Sequence, residues 1–159
     1  MRIKFYKNDD FVNYRKGVLF IGMPFCTWKC CLEAGIPCSV CQNYEWSRNP
    51  ILEIGAEELV AQYLQDPLEE AVVFGGLEPM DSFEDVYEFV LKFREKSADE
   101  IIIYTGYYPE EIEEKLTRLQ AFSNIIVKFG RYIPNQKARY DDVLGVTLAS
   151  DNQFAQKIS

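Results

Sequence analysis

Short apolar runs recur along most of the chain. Gly17 to Gly22 encloses four consecutive apolar residues, and similar runs occupy residues 71–74, 100–104 and 125–129. Continuous apolar runs of this length are typical of strands that are buried on both faces of a sheet. We therefore predict four buried strands at these positions.

Apolar residues at helical spacing fill the intervals between these strands. Residues 55–65 place four apolar side chains on one helical face. A second stripe runs from Phe83 to Phe93, and we expect Ser82 to cap that helix, with Asp85 three residues further on. Pro109 suits the first turn of a third helix, because it has no N–H group to leave unpaired there.

The alternation of strands and helices predicts parallel βαβ units and an α/β fold. Weaker patterns predict a fifth strand at 143–148 and a short edge strand at 2–6. Residues 23–50 have no steady period, and we interpret them as a long loop of functional importance. Periodicity leaves open whether the sheet stays open or curls into a partial barrel. In both cases ligands bind at the carboxyl ends of the strands.

Composition and charge narrow the classes of function. A chain of 159 residues, with 48% hydrophobic and 26% charged residues, fits one globular domain. The formal net charge is −8 and the basic residues form no stripe, so we expect neither nucleic acid nor an anionic membrane as a partner. The first ten residues are polar and charged, and the apolar run at 17–25 is too short to span a bilayer. We expect a cytoplasmic protein.

The chain has five cysteines, all between Cys26 and Cys41, and no histidine. The lack of histidine excludes Ser–His and Cys–His nucleophiles and mixed Cys/His zinc sites. In a reducing compartment, a dense group of cysteines indicates metal binding more often than disulfides. The spacing leaves three interpretations open: an iron–sulfur cluster, a zinc site built from four of the cysteines, and unligated thiols.

The cysteine segment resembles the C-x3-C-x2-C motif of the radical SAM superfamily. Cys26 and Cys30 match the first two positions, and Cys41, which a Gln-Asn pair follows, resembles the third. Ten residues separate Cys30 from Cys41 where the motif has two, so Cys38 is the alternative third ligand. The resemblance implies that three thiolates hold a [4Fe–4S] cluster and leave one iron open for S-adenosylmethionine (SAM).

Further segments at the predicted strand ends add to this resemblance. Gly75, Gly76 and Glu78 are similar to the family's G-G-E-P segment, which binds the amino group of SAM, although a leucine is inserted before the glutamate. Taken alone, the segment is also typical of a tight turn that enters a helix. The resemblance further implies three contacts with SAM: Val40 with the adenine, Thr105 with the ribose or carboxylate, and Lys128, or alternatively Arg131, with the carboxylate.

Within the superfamily, the chain is similar to the small activating proteins of anaerobic ribonucleoside-triphosphate reductase. That resemblance implies a parallel-stranded partial (βα) barrel of the radical SAM type, with about five or six strands. It implies a single domain over residues 1–159 with the cluster-binding loop at 23–50.

The implied activity is reductive cleavage of SAM at the cluster, which generates a glycyl radical on the large subunit of an anaerobic (class III) ribonucleotide reductase. The implied electron donor is a flavodoxin or a ferredoxin. Two alternatives remain. The chain acts on another glycyl-radical enzyme or on a small molecule, or it is a non-enzymatic, cysteine-rich zinc-binding module.

Overall fold

Ten strands and five α-helices make up the structure, a computed structural model that describes residues 1–159. The strands are β1 (Arg2–Ile3), β2 (Phe5–Asp10), β3 (Val18–Met23), β4 (Leu52–Glu53), β5 (Ala71–Gly76), β6 (Glu100–Tyr104), β7 (Ile125–Phe129), β8 (Arg139–Asp141), β9 (Val146–Leu148) and β10 (Phe154–Lys157). The helices are α1 (Lys29–Ala34), α2 (Tyr44–Ser47), α3 (Ala56–Gln65), α4 (Phe83–Arg94) and α5 (Glu113–Leu119). Short 3₁₀ turns lie at Cys38–Val40, Pro79–Ser82 and Pro109–Glu111.

The central sheet has six strands in the order β10-β7-β6-β5-β3-β2. The four inner strands are parallel, and they are the four buried strands that the apolar runs predict. Both edge strands run antiparallel, β2 against β3 and β10 against β7. The two edges do not pair with each other, so the sheet is open in its hydrogen bonding. The partial barrel of the radical SAM type stays a prediction.

The two faces of the central sheet are covered differently. The larger core lies between one face and the amphipathic helices, and it includes Leu59, Phe89, Phe93 and Leu119. The smaller core covers the other face, where Tyr14, Leu144 and Leu148 pack against inward-facing strand residues. The longest helix has 12 residues. None of the helices has the length and apolar character that crossing a membrane requires.

The predicted strand at 143–148 is wrong in its extent. Only Val146–Leu148 is extended, and it pairs with β8 in a separate antiparallel hairpin. The preceding residues turn instead, because the Asp141 carboxylate accepts the backbone N–H groups of Val143 and Leu144, and Gly145 adopts a positive φ of 72°. The hairpin therefore caps the smaller core and does not extend the sheet.

Three further expectations need correction. The strand predicted at 2–6 is divided between β1, which pairs with β4, and the longer edge strand β2. The segment 23–50 contains α1, α2 and a 3₁₀ turn, in addition to loop. Ser82 occupies the N-cap position of α4 but makes no capping hydrogen bond, and Asp85 accepts hydrogen bonds from Arg2 instead. In place of Ser82, the Glu78 carboxylate caps the preceding 3₁₀ turn by accepting the Met80 N–H.

Candidate cluster and cofactor site

A cavity of about 260 Å³ opens at the carboxyl ends of the parallel strands. This is the edge at which the βαβ arrangement predicts ligand binding. Its walls come from the ends of β5, β6 and β7 and from residues 23–50, which are called the cysteine segment below. The lining residues used below are Cys26, Cys30, Asn43, Trp46, Gly75, Gly76, Glu78, Thr105, Gly106, Lys128, Tyr132 and Gln153.

Cys26 and Cys30, the two residues that match the start of the cysteine motif, both line this cavity, and their ligation of a cluster stays a prediction. The Cys26 sulfur accepts the backbone N–H of Trp28 at 3.3 Å. Burial, together with the nearby carboxylates of Glu78 and Asp81, raises the pKa of Cys26 to about 12. Without a metal the thiol therefore keeps its proton at neutral pH, and metal binding must release that proton.

Cys30 has a more favourable setting for a thiolate. Burial raises its pKa and the nearby charge of Glu78 adds to this, but the backbone N–H of Tyr132 and the positive charges of Lys128 and Arg131 act in the opposite direction. Each of these groups stabilises negative charge on sulfur. Cys30 is therefore the cysteine in this cavity whose surroundings best accommodate an anionic ligand sulfur.

Gly106 provides the room that Cys30 occupies. A Cβ atom built on Gly106 would lie 2.7 Å from the Cys30 sulfur, far inside van der Waals contact. Any residue type other than glycine at position 106, just after β6, would therefore displace the thiol or the backbone there. The Gly106 backbone N–H is also used, because it donates to Glu78 Oε2 at 2.9 Å.

The other three cysteines lie together outside the cavity lining. Cys31 is buried, and the thiols of Cys38 and Cys41 are near enough to influence its ionisation. Burial raises the pKa of Cys31 to about 11, and the neighbouring thiols add to this effect. All five cysteines are free. The structure brings together Cys26 and Cys30 but not Cys41 or Cys38 with them, so the third ligand stays a prediction.

Hydrogen bonds join the start of the cysteine segment to residues 75–79 at the end of β5, which are called the glycine turn below. The backbone N–H of Glu78 donates to the carbonyl of Phe25 at 2.8 Å. Asp81 accepts the Thr27 N–H and the Tyr107 hydroxyl, each at 2.7 Å. These bonds fix the residues on both sides of Cys26, and so they set the position of its sulfur.

Glu78 has an internal role that its sequence position does not reveal. Its Oε1 accepts the Thr105 hydroxyl at 2.6 Å and the Met80 N–H at 3.0 Å, while Oε2 accepts the Gly106 N–H. Burial raises the pKa of this carboxyl, and the three donors oppose that rise. The carboxylate thereby ties the end of β5 to the end of β6. Its contact with the amino group of SAM stays a prediction.

The glycine turn itself requires glycine. Gly76 has a φ of +77°, and a Cβ atom there would lie 3.3 Å from Trp46. The Asn43 side-chain amide donates to the Gly76 carbonyl. The Trp46 ring packs edge-on against Phe5, with ring centroids 4.8 Å apart. Trp46 and Asn43 thus bring the end of the cysteine segment over the turn.

Lys128 places a buried ammonium group at the cavity. The residue is 7% exposed, and its Nζ makes one hydrogen bond, to the Gly130 carbonyl at 3.0 Å. An ammonium group has three donors, so two remain for a ligand. Burial lowers the pKa of Lys128 to about 8, although the nearby Cys30 and Glu78 counteract this.

The two remaining predicted cofactor contacts are placed differently. Thr105 is 1% exposed and lies at the cavity, but its hydroxyl is committed to Glu78 and also accepts the Tyr107 N–H. Val40 is 63% exposed and does not line the cavity. Both contacts with SAM stay predictions.

Comparison with known proteins identifies the family. A family model described as a 4Fe-4S single cluster domain matches residues 26–153, which is most of the chain and includes all five cysteines. The chain belongs to this family. No curated protein and no solved structure matches it.

A [4Fe–4S] cluster fits the donor set of this family member. Thiolates are the usual ligands of such clusters, and Cys26 and Cys30 both belong to the lining of the cavity. Each thiolate binds a different iron of a [4Fe–4S] cluster, so its ligands are spaced more widely than those of a single ion. No three of the chain's Cys, Asp and Glu side chains are close enough together to hold one metal ion.

Trp46, Tyr132 and Gln153 line the cavity of this cluster domain without having been predicted there. Trp46 belongs to the aperiodic segment, and nothing in its spacing distinguishes it from a packing residue. Tyr132 follows the predicted strand end at 125–129, and this position is the one signal that could have found it. Gln153 precedes β10, a strand too short and polar for the apolar pattern to reveal.

Proposed function

We propose that this chain binds SAM in the cavity beside its cluster and cleaves it reductively to generate a radical. One observation carries the proposal. The two cysteines that match the radical SAM motif line the same cavity as the glycine turn and a buried lysine. A zinc-binding module needs no such cavity.

The residues at this cavity have complementary charges for the amino-acid part of SAM. Lys128 has two unused donors and would bind the carboxylate. The carbonyl groups at the glycine turn, together with Glu78, would accept from the ammonium group. The bonds that Glu78 makes to Thr105 and Gly106 hold these acceptors in a fixed position. Fixed polar groups are what orient a ligand at low entropic cost.

The aromatic residues of the cysteine segment would contact the nucleoside. Trp46 lies against the glycine turn and offers an apolar surface for the adenine. A reduced [4Fe–4S] cluster held by Cys26 and Cys30 would supply one electron to the sulfonium of SAM, and the carbon–sulfur bond would then break to give methionine and a 5′-deoxyadenosyl radical. The role of the chain is to orient SAM and to exclude water around the reactive radical.

By resemblance, the radical removes a hydrogen atom from a backbone glycine on the large subunit of an anaerobic ribonucleotide reductase. The cavity opens at one rim of a small domain, and such an opening suits a loop presented by another protein. A flavodoxin or ferredoxin would supply the electron. In the alternative, the chain acts on another glycyl-radical enzyme or on a small molecule. SAM cleavage would then be the same, and only the molecule that loses the hydrogen atom would differ.

The test begins with anaerobic reconstitution of the full chain with iron and sulfide. Dithionite and SAM are then added, and 5′-deoxyadenosine is measured by chromatography. We expect about one 5′-deoxyadenosine per cluster in the first turnover, and a Lys128→Gln variant should require a higher SAM concentration. Lys96→Gln, at an exposed position after α4, is the matched control.

Two outcomes would contradict the proposal. One is a protein that loads a full cluster but forms no 5′-deoxyadenosine. The other is a colourless protein that binds stoichiometric zinc and resists iron loading, as expected of the zinc-binding module. The target is tested separately, by adding a candidate reductase subunit and looking for a glycyl radical by electron paramagnetic resonance.

A further inference from the structure

Four charged side chains surround the Cys30 side of the cavity. Lys29 and Glu33 flank Cys30 on α1, Glu111 lies in the 3₁₀ turn before α5, and Arg131 follows β7. Three separate parts of the chain therefore meet at this cysteine. The SAM-binding arrangement proposed above gives the carboxylate to Lys128, which lines the larger cavity, and not to Arg131, the alternative that the sequence offers and that does not line it.

Arg131 is the centre of this group. Its side chain is 6% exposed, and its guanidinium makes two hydrogen bonds to the Glu111 carboxylate, at 2.8 and 2.5 Å. Arg131 Nε also lies 2.7 Å from Glu33 Oε2. Lys29 Nζ donates to the same Glu111 carboxylate. Because Glu111 binds both cations, it links α1 to the end of β7.

Glu111 is ionised throughout the neutral range. Its two hydrogen bonds from Arg131, and the further one from Lys29, lower its pKa to about 2. Substitution of Arg131 by glutamine removes a positive charge, and substitution of Glu111 by glutamine removes a negative one. The two charges therefore provide a pair of opposite probes next to one thiol.

The structure also connects this pair with the sulfur of Cys30. Arg131 lines a small pocket together with Cys30 and Lys29, and its guanidinium donates to the carbonyl of Gly106, the residue whose backbone borders the Cys30 sulfur. The positive charge of Arg131 and the backbone N–H of Tyr132 both favour negative charge on that sulfur. Hydrogen bonds to cluster sulfurs and the net charge around them set the reduction potential of an iron–sulfur cluster. A cluster bound to Cys30 would have both influences on this side.

We infer that Arg131 and Glu111 are positioning residues that hold Cys30 at the cluster and set the cluster's reduction potential in opposite directions. Reduction adds one electron to the cluster. The positive charge of Arg131 favours the reduced form, and the negative charge of Glu111 disfavours it. The inference rests on cluster ligation by Cys30 and is independent of SAM cleavage.

A purely structural role predicts a different result. If the pair only fixed α1 to the rim, losing either partner would loosen the same contact, and the potential would move in the same direction in both variants. Opposite shifts therefore separate an electrostatic effect from simple loosening. This comparison does not depend on enzyme activity.

The experiment is a redox titration of the anaerobically reconstituted full chain with dithionite, followed by electron paramagnetic resonance of the reduced cluster. We expect a lower midpoint potential for Arg131→Gln and a higher one for Glu111→Gln. Arg131→Lys keeps the charge, and its midpoint should stay near that of the unsubstituted protein. The control is Arg118→Gln, which breaks an exposed ion pair between Arg118 on α5 and Glu84 on α4. Its midpoint potential should equal that of the unsubstituted protein.

Because Arg131 is buried, the experiment includes a second variant that removes a positive charge at a more exposed residue. If Arg131→Gln fails to retain the cluster, Lys29→Gln removes a more exposed cation from the same Glu111 carboxylate and should also lower the potential. Shifts of equal sign in the cation and Glu111 variants would overturn the inference, and so would midpoints unchanged in all of them. Loss of 5′-deoxyadenosine formation with the opposite shifts intact would count only against the proposed function.

Discussion

At the scale of single residues, one buried carboxylate lies far from the cavity. Glu69, just before β5, is 6% exposed, and neither of its carboxylate oxygens has a well-formed hydrogen bond. Burial, with the charge of Asp66 adding to it, raises its pKa to about 7. Glutamate side chains are usually exposed unless they are paired, and Glu69 is an exception to that rule.

The raised pKa of Glu69 makes stability depend on pH. The folded state holds this proton at pH values where an ordinary glutamate, with a pKa near 4.5, has lost it. Stability is therefore highest below pH 4.5 as far as this group is concerned, and it falls as the pH rises through about 7. Glu69→Gln removes this dependence because the amide does not ionise.

We expect the Glu69→Gln variant to be the more stable protein in alkaline buffer. Between pH 5.5 and 8.5 its advantage in unfolding free energy should grow by about 2 kcal/mol, from the shift and about 1.4 kcal/mol per pKa unit. Urea denaturation at both pH values measures it. Glu70→Gln, at an exposed neighbouring position, is the control. An advantage that stays constant with pH would contradict the prediction.

Gly106 provides a second prediction at this scale. Gly106→Ala places a methyl group 2.7 Å from the Cys30 sulfur, so we expect a several-fold lower iron content after reconstitution and a loss of about 1–3 kcal/mol in stability. Gly55→Ala is the control, because its new methyl group would meet nothing closer than 3.9 Å. Equal iron content in both variants would show that Cys30 does not need this space.

At the scale of elements, predictability follows burial. The four inner strands are buried on both faces, so their apolar runs predict them well. The edge strand β2 is mostly polar and exposed, and β10 is short, so neither has a pattern that distinguishes it from loop. The hairpin of β8 and β9 depends on the turn at Asp141, whose side chain bonds to the backbone two and three residues further on, and such local turn chemistry has no apolar period.

A prediction at this scale concerns the contact between the cysteine segment and the turn after β5. Asp81→Asn replaces one acceptor with an amide N–H group, so it cannot accept from both Thr27 and Tyr107 as the carboxylate does. We expect faster loss of iron from the reconstituted protein to a chelator. Tyr107→Phe, which removes one of the two bonds, should have a smaller effect.

The control for this contact is Asp66→Asn, which changes an aspartate that accepts a single backbone N–H from Leu68 in a turn away from the cavity. Its iron release should match that of the unsubstituted protein. If Asp81→Asn releases iron no faster than Asp66→Asn, the contact does not hold Cys26 in its ligating position.

At the scale of the whole molecule, the sequence predicts where the site lies better than what each side chain does. The motif spacing brings Cys26 and Cys30 to the cavity, and the strand-end rule adds Gly76 and Lys128. The hydrogen bonds that Glu78 accepts from Thr105 and Gly106 cannot be predicted from its motif, because these two residues follow a different strand, β6. Contacts between distant segments leave no periodic signal, which is also why the Arg131 group cannot be read from the chain.

The last prediction concerns how the cysteine segment completes the cluster. Cys26 and Cys30 line the cavity and Cys31, Cys38 and Cys41 do not, so a third sulfur ligand would come from these three cysteines. We expect single alanine variants of Cys26, Cys30 and Cys41 to lose the absorption near 400 nm after reconstitution, and those of Cys31 and Cys38 to retain it. Metal binding releases thiol protons and couples to local folding. The loaded segment should therefore resist proteolysis longer than the metal-free one. A Cys38 variant without cluster, beside a Cys41 variant that keeps it, would reverse the assignment of the third ligand.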